Sequence, residues 1–130
     1  MPFLGVRATA IFRRIIDGLA TVGDHRTFDN ANGAFMAIHV EIIGRHGDGM
    51  IVSLAHYFTQ NGDMMRDPDV EFYVTATEIV PMTFQQDGIG VYTRAAWFEG
   101  DIMHTNPRHQ RDIAEFCEMW LPNIAEQQGI

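Results

Sequence analysis

Residues 53–72 read SLAHYFTQNGDMMRDPDVEF, and the fold turns on them. The stretch enters as a strand, breaks in a polar turn crowded with aspartates and leaves as a second strand. Upstream of the break, residues 51–60 form a central strand that is apolar on both faces. Val52, Leu54 and Phe58 share one side, and Ile51, Ala55 and Tyr57 the other. Asn61-Gly62 suits positive φ and ends that strand. Pro68 stands before the next one, in which Val70, Phe72, Val74 and Ala76 alternate with Glu71, Tyr73, Thr75 and Thr77. Such alternation is the signature of a half-buried strand.

The same period extends outward on both sides. From Phe35, the residues Met36, Ile38, Val40 and Ile42 alternate with Phe35, Ala37, His39 and Glu41, so the even positions are expected to face the core. RHGDG at 45–49 connects this strand to the next as a hairpin, with Asp48-Gly49 suited to positive φ. Residues 79–86 form a further strand that Pro81 pushes towards an edge or a bulge. Asp87-Gly88 turns it into a strand over 91–98 that carries Tyr92 and Trp97.

A helical period brackets the strands. Ile11, Phe12, Ile15, Ile16 and Leu19 lie on one stripe, which predicts a helix over 7–19 with Thr9 as its cap and Gly18 and Gly23 near its end. Residues 21–33 are polar and turn-rich, with Asp24, Asp29, Asn30, Asn32 and Gly33, and Phe28 as the anchor of a short strand. At the far end Asn106-Pro107 opens a helix whose stripe is Ile113, Phe116, Cys117, Trp120 and Ile124. Pro122 cannot bond back to residue 118, so a kink or restart is expected there. The order helix, strands, helix predicts a single α+β domain over residues 1–130: an antiparallel β-meander of about five strands flanked by an N-terminal and a C-terminal α-helix.

Composition narrows the function classes. The chain has 130 residues, 46% hydrophobic and 20% charged, enough for one buried core. Its formal net charge is −8, from 17 acidic against 9 basic residues, and every basic residue is arginine. This balance argues against direct nucleic-acid binding, which uses cations to neutralise phosphates, and leaves open a basic protein partner or mimicry of nucleic acid. With one cysteine, Cys117, no internal disulfide is possible. No apolar run reaches the roughly 20 residues of a membrane span, and residues 1–14 lack the order of a signal peptide. A soluble, cytoplasmic protein with no membrane partner is expected.

Three segments together resemble a known family. They are Ser53-Leu54-Ala55-His56-Tyr57 with Gln60-Asn61-Gly62-Asp63, Met65 and Asp67-Pro68; FQQDGIGVY at 84–92; and a terminal helix with Phe116, Trp120, Asn123-Ile124 and Gln127. The pattern is similar to that of an uncharacterised family of small proteins carried by plasmids, phages and integrated elements. Pro122 departs from it. The resemblance brings no activity, but implies a mobile-element context, in which small acidic proteins often bind host defence machinery.

The candidate site residues gather around the opening stretch. Asn61, Asp63, Asp67 and Asp69 offer oxygens to a hard cation, yet NGDMMRDPD lacks the alternate spacing of an EF-hand loop. A structured turn in which Arg66 pairs a carboxylate, or a partner-binding loop, uses the same residues. His39 and His56 lie on strands that are potential neighbours and, with an aspartate, would suit zinc; a hydrogen-bonded histidine inside the sheet is the competing reading of His56. Cys117 falls in an apolar stripe, which argues core rather than nucleophile. No phosphate loop, nucleophile elbow or dinucleotide fingerprint occurs. Tyr73, beside Glu71 on the polar side of its strand, is the expected exposed aromatic contact.

Two functions follow. The first is a non-enzymatic binding protein of a mobile element, acting on a host protein or complex as a counter-defence inhibitor of the anti-CRISPR kind. It has no catalytic residue, metal or cofactor, and its binding residues are His56, Asn61, Asp63, Arg66, Asp67, Asp69, Glu71 and Tyr73. The alternative is a metal-dependent or acid/base enzyme in which His56 meets Asp63, Asp67 or Asp69 in one pocket. An exposed edge strand would also allow a homodimer.

Overall fold

A computed structural model describes residues 3–30 and 35–130. The chain forms α1 (Val6–Ile16), β1 (His25–Phe28), β2 (Ile38–His46), β3 (Gly49–Gln60), β4 (Asp63–Val74) and β5 (Ile79–Gln86). A single 3-10 turn (Asp87–Ile89) leads to β6 (Val91–Arg94), β7 (Ala96–Glu99), β8 (Ile102–Thr105) and α2 (Pro107–Gln128). Strands β1 to β6 form one antiparallel sheet in sequence order, and β7 and β8 a separate two-stranded ribbon. The architecture is the expected α+β meander between two helices, with six strands rather than five. The expected turn residues Asn32 and Gly33 lie outside the described residues.

The β3–β4 hairpin is the longest pairing, and its turn is tighter than expected. Asn61 (φ 53°) and Gly62 (φ 83°) alone reverse the chain, and Gln60 pairs directly with Asp63. The aspartates therefore do not crowd a turn: Asp63, Asp67 and Asp69 all belong to β4. Pro68 is inside that strand as well. Between the pairs Ala55–Asp69 and Tyr57–Arg66, β4 carries two residues against one on β3, a bulge that removes the need for a proline N–H. Pro81 is accommodated in the same way, with Met82 as the extra residue between the pairs Glu71–Thr83 and Phe72–Pro81. This is the bulge alternative, since β5 is not an edge strand.

Both helices cover one face of the sheet. Ile38, Val40 and Ile42 of β2, Val52 and Leu54 of β3, and Val70, Phe72 and Val74 of β4 are buried against Ile11, Phe12 and Ile15 of α1 and Cys117, Trp120, Leu121 and Ile124 of α2. Phe12 and Phe72 meet edge to face at 4.8 Å. Met36 and Ala76, expected in the core pattern, lie outside the strands and are exposed, because the alternation outlasts the pairing at each end.

The helix ends carry four findings. Thr9 is not the cap of α1; Gly5 holds that position, and its N–H donates to Oε1 of Glu118 on α2. At the other end Arg26 of β1 donates to the carbonyls of Ile15 and Asp17 at 2.9 and 2.8 Å, so α1 stops at Ile16 rather than residue 19. Asn106 caps α2 as expected, its Oδ1 accepting from the N–H of His109 at 3.2 Å. Through Pro122 α2 is one helix without a restart. Trp120, Leu121 and Ile124 are buried on both sides of the proline, each contributing about 1.5–3 kcal/mol. Together they outweigh the roughly 3 kcal/mol cost of an interior proline.

The expected strand over 91–98 is two. The chain leaves the main sheet at Ala95, which is fully buried. Its N–H donates to the Met82 carbonyl, and its own carbonyl accepts from Asn106, both at 2.7 Å. Both peptide groups of this crossing are thus satisfied while β7 and β8 fold back as a ribbon.

Candidate functional site

With the helices on one side, period-two alternation sends the remaining side chains to the other, and register aligns them. One row crosses all six strands as His25, Glu41, Ser53, Glu71, Thr83 and Arg94. The next row is Thr27, His39, Ala55, Asp69, Gln85 and Tyr92. At the middle of the rows stand the two smallest side chains, Ser53 and Ala55. A cleft of about 280 Å³ opens beside Ser53, lined by His25, Arg26, Thr27, His39, Glu41, Tyr57 and Met64 among others. The His39 and Tyr57 rings pack at 5.3 Å, and His39 Nδ1 bonds the Thr27 hydroxyl at 3.0 Å.

The carboxylates of this face are only partly solvated. Ser53 donates to Asp69 Oδ1 at 2.7 Å. Burial pushes the Asp69 carboxyl up, while the Ser53 bond and the Arg66 charge pull it down. Burial also raises Glu71, with Asp69 adding to the rise and a bond from Thr83 opposing it. The Tyr57 phenol is raised as well, first by burial and then by the charge of Asp69, with smaller contributions from Glu41 and Glu71. The arginines near this face have partners of their own, Arg26 of the cleft wall being bonded to the Ile15 and Asp17 carbonyls. Arg66 donates from its backbone N and its Nε to Asp87 Oδ2 at 2.8 and 2.9 Å, and the Arg94 guanidinium lies 4.1 Å over Trp97.

The ribbon closes one end of the face. Phe98 stacks on His46 at 3.6 Å and meets Tyr73 edge to face at 5.0 Å. The Tyr73 hydroxyl donates to the His46 carbonyl at 2.7 Å. Tyr73 is therefore not the free aromatic contact expected of it. The glycine of the hairpin beneath it also differs from expectation: Gly47, not Gly49, has positive φ (59°). Gly49 is required for another reason, because a Cβ there would overlap the Tyr73 ring.

The eight candidate residues thus fall into separate places. Asp69 and Glu71 meet on the open face, with Arg66 beside them and tied to Asp87. Asn61 and Asp63 sit exposed at the hairpin tip. His56 points the other way. It is 7% exposed among the core residues and accepts from Trp120 Nε1 at 3.4 Å, the hydrogen-bonded sheet histidine. Asp67, whose Oδ1 accepts from Gln86 at 2.7 Å, is near enough for its charge to favour protonation of His56. His56 and His39 occupy alternate faces, so they cannot share a zinc ion, and among the described residues no group of three His, Cys, Asp or Glu side chains is placed to hold a metal. Of the three aspartates offered as its partner, Asp67 is the one near His56, while Asp63 sits at the hairpin tip and Asp69 on the open face.

Sequence reasoning missed Ser53, Glu41, Thr83, Gln85 and Arg94 as members of one surface. The signal was there in the odd-numbered side of 35–42 and in the two-residue turn at 61–62, which together set the register.

A family model described as a domain of unknown function (DUF6908) matches residues 10–130. The chain belongs to that family. No curated protein and no solved structure matches it significantly. Among the described residues, no helix is long and apolar enough to cross a membrane.

Proposed function

We propose that the protein is a non-enzymatic binding protein that docks a partner protein on the open face of its sheet. The carrying observation is the asymmetry of the layers: both helices lie on one side, and two aligned rows of polar and aromatic side chains lie on the other. A rigid six-stranded platform holding a cleft beside Ser53 suits recognition, since it fixes side chains in register without a loop to order. The resemblance to small plasmid- and phage-borne proteins supports a host protein or complex in the cytoplasm as the partner, and a counter-defence role of the anti-CRISPR kind. The charge of −8 supports a protein target over nucleic acid, with mimicry of nucleic acid as one way to engage it.

Site-specific photo-crosslinking tests the reading. A crosslinking amino acid is placed at Tyr92 on the open face or at Arg111 on the solvent side of α2, and host cells are irradiated. A discrete adduct through position 92 and none through position 111 is expected. Adducts through position 111 alone, or through neither, overturn the open face as the docking surface.

A further inference from the structure

Resting on the reading of the open face as a docking surface, we propose that its occupant is a basic segment of a partner protein, with an arginine or lysine side chain entering the cleft beside Ser53. Charge and shape both lead there. Glu41 of β2 lines the cleft and flanks Ser53 on one side, Asp69 and Glu71 of β4 flank it on the other, with Asp69 bonded to the Ser53 hydroxyl, while Tyr57 and His39 wall the cleft with aromatic rings. Among the described residues the arginines nearest these acids already have other partners: Arg66 pairs with Asp87, Arg94 is laid over Trp97, and Arg26 of the cleft wall donates to the carbonyls of Ile15 and Asp17. A guanidinium or ammonium in the cleft gains from carboxylate contact and from the face of Tyr57 together, the two interactions that favour cations. It would also favour the charged forms of Asp69 and Glu71, which burial disfavours, with the Asp69 charge adding to the effect on Glu71.

Other occupants fit less well. A second copy facing this one would set the same acidic rows against each other, on top of the −8 charge each chain carries. Nucleic acid would bring phosphates to carboxylates. A divalent ion lacks a ligand set of three acids or histidines among the described residues.

The test is calorimetric binding of an acetylated hexa-arginine peptide at about 0.15 M ionic strength, where the Debye length of about 8 Å screens remote charges. Asp69→Asn, which keeps an acceptor for Ser53, and Glu71→Gln are expected to weaken binding roughly three- to tenfold each. Tyr57→Leu, which removes the ring face, weakens it about fivefold. Asp112→Asn and Glu115→Gln, on the solvent side of α2, change the net charge equally and should alter affinity less than about twofold. Far-UV circular dichroism confirms that each variant is folded. Equal losses in the α2 variants, or no binding by the unaltered protein, overturn the proposal. A protein that crosslinks to its partner through position 92 yet ignores the peptide loses the basic occupant and keeps the docking face. One that fails to crosslink there loses both.

Discussion

Trp120 Nε1 donates to His56 Nδ1 across 3.4 Å, joining the middle of α2 to β3 over 64 residues of chain. The rings meet edge to face at 5.5 Å. This bond assigns the tautomer: Nδ1 accepts, so Nε2 carries the proton, and Nε2 is buried with no protein partner. Both features disfavour imidazolium, which would turn Nδ1 into a donor facing another donor.

The first prediction concerns pH. Burial lowers the His56 pKa, Asp67 opposes, and His39 adds to the lowering. The unfolded chain takes up this proton first, near its ordinary value of about 6.5. The contribution of neutral His56 is therefore complete above that value and is lost as pH falls towards the lower folded-state value. Asp69 and Glu71, raised by burial, act with the opposite sign, so a single slope is not diagnostic. The readout is a comparison of urea midpoints at about pH 7.5 and about pH 5.5. His56→Gln, which keeps an acceptor for Trp120 and does not titrate, should lose less stability on acidification than the unaltered protein. An identical loss in both would show that His56 is not linked to folding.

Gly49 gives a steric prediction. A methyl there would collide with Tyr73, whose hydroxyl is held by the His46 carbonyl and whose ring is held by Phe98. Gly49→Ala should cost about 1–3 kcal/mol in urea denaturation. The cost should shrink in a Tyr73→Ser background, where the obstructing ring is gone. An additive double variant would mean that the two residues do not touch.

The contrast between the two ends of β3 explains what the sequence made legible. Near Ile51 to Leu54 the period is strict, and register, core face and strand direction followed from alternation and from Asn61-Gly62. Opposite His56 the bulge at Asp67-Pro68 resets the alternation of β4, and one residue of slip moves a side chain to the other face. The aspartates of 63–69 looked like a turn because proline and aspartate are depleted in strands; pairing with β3 and β5 overrode that preference. The open face was harder to read for a different reason. Its members lie up to 69 positions apart, from His25 to Arg94, and are united only by cross-strand pairing. The ribbon of β7 and β8 left almost no local trace, because Ala95, an unremarkable residue, makes the crossing.

The contact between the two helices can be tested through Glu118. Its Oε1 accepts from the Gly5 N–H at the start of α1, doing what a side-chain cap would otherwise do while also placing an acid at the positive end of the helix. Glu118→Ala should cost around the low end of the roughly 0.5–2 kcal/mol range for lost caps, and Glu118→Gln less, since an acceptor remains. Hydrogen exchange at the Thr9 amide, bonded to the Gly5 carbonyl at 2.9 Å, should accelerate in the alanine variant. Unchanged exchange would show that α1 does not depend on the contact.

Cys117 decides whether the one thiol is chemistry or core. It is fully buried in α2 among Ile113, Trp120, Leu121 and Ile124, and burial pushes its pKa up to about 12, with Glu118 adding to the rise. A thiol in that state presents almost no thiolate at neutral pH and no path to a reagent. The folded protein should therefore be inert to a disulfide reagent, and its single thiol should appear in step with the urea transition. Rapid labelling of the native chain would contradict the core placement. Replacement separates packing from polarity: Cys117→Ala removes one sulfur atom's contacts, whereas Cys117→Ser leaves an unpartnered hydroxyl in an apolar setting and should cost about 1–3 kcal/mol. If serine were tolerated as well as alanine, water would have to reach the position, and the helix could not seal the sheet as it does.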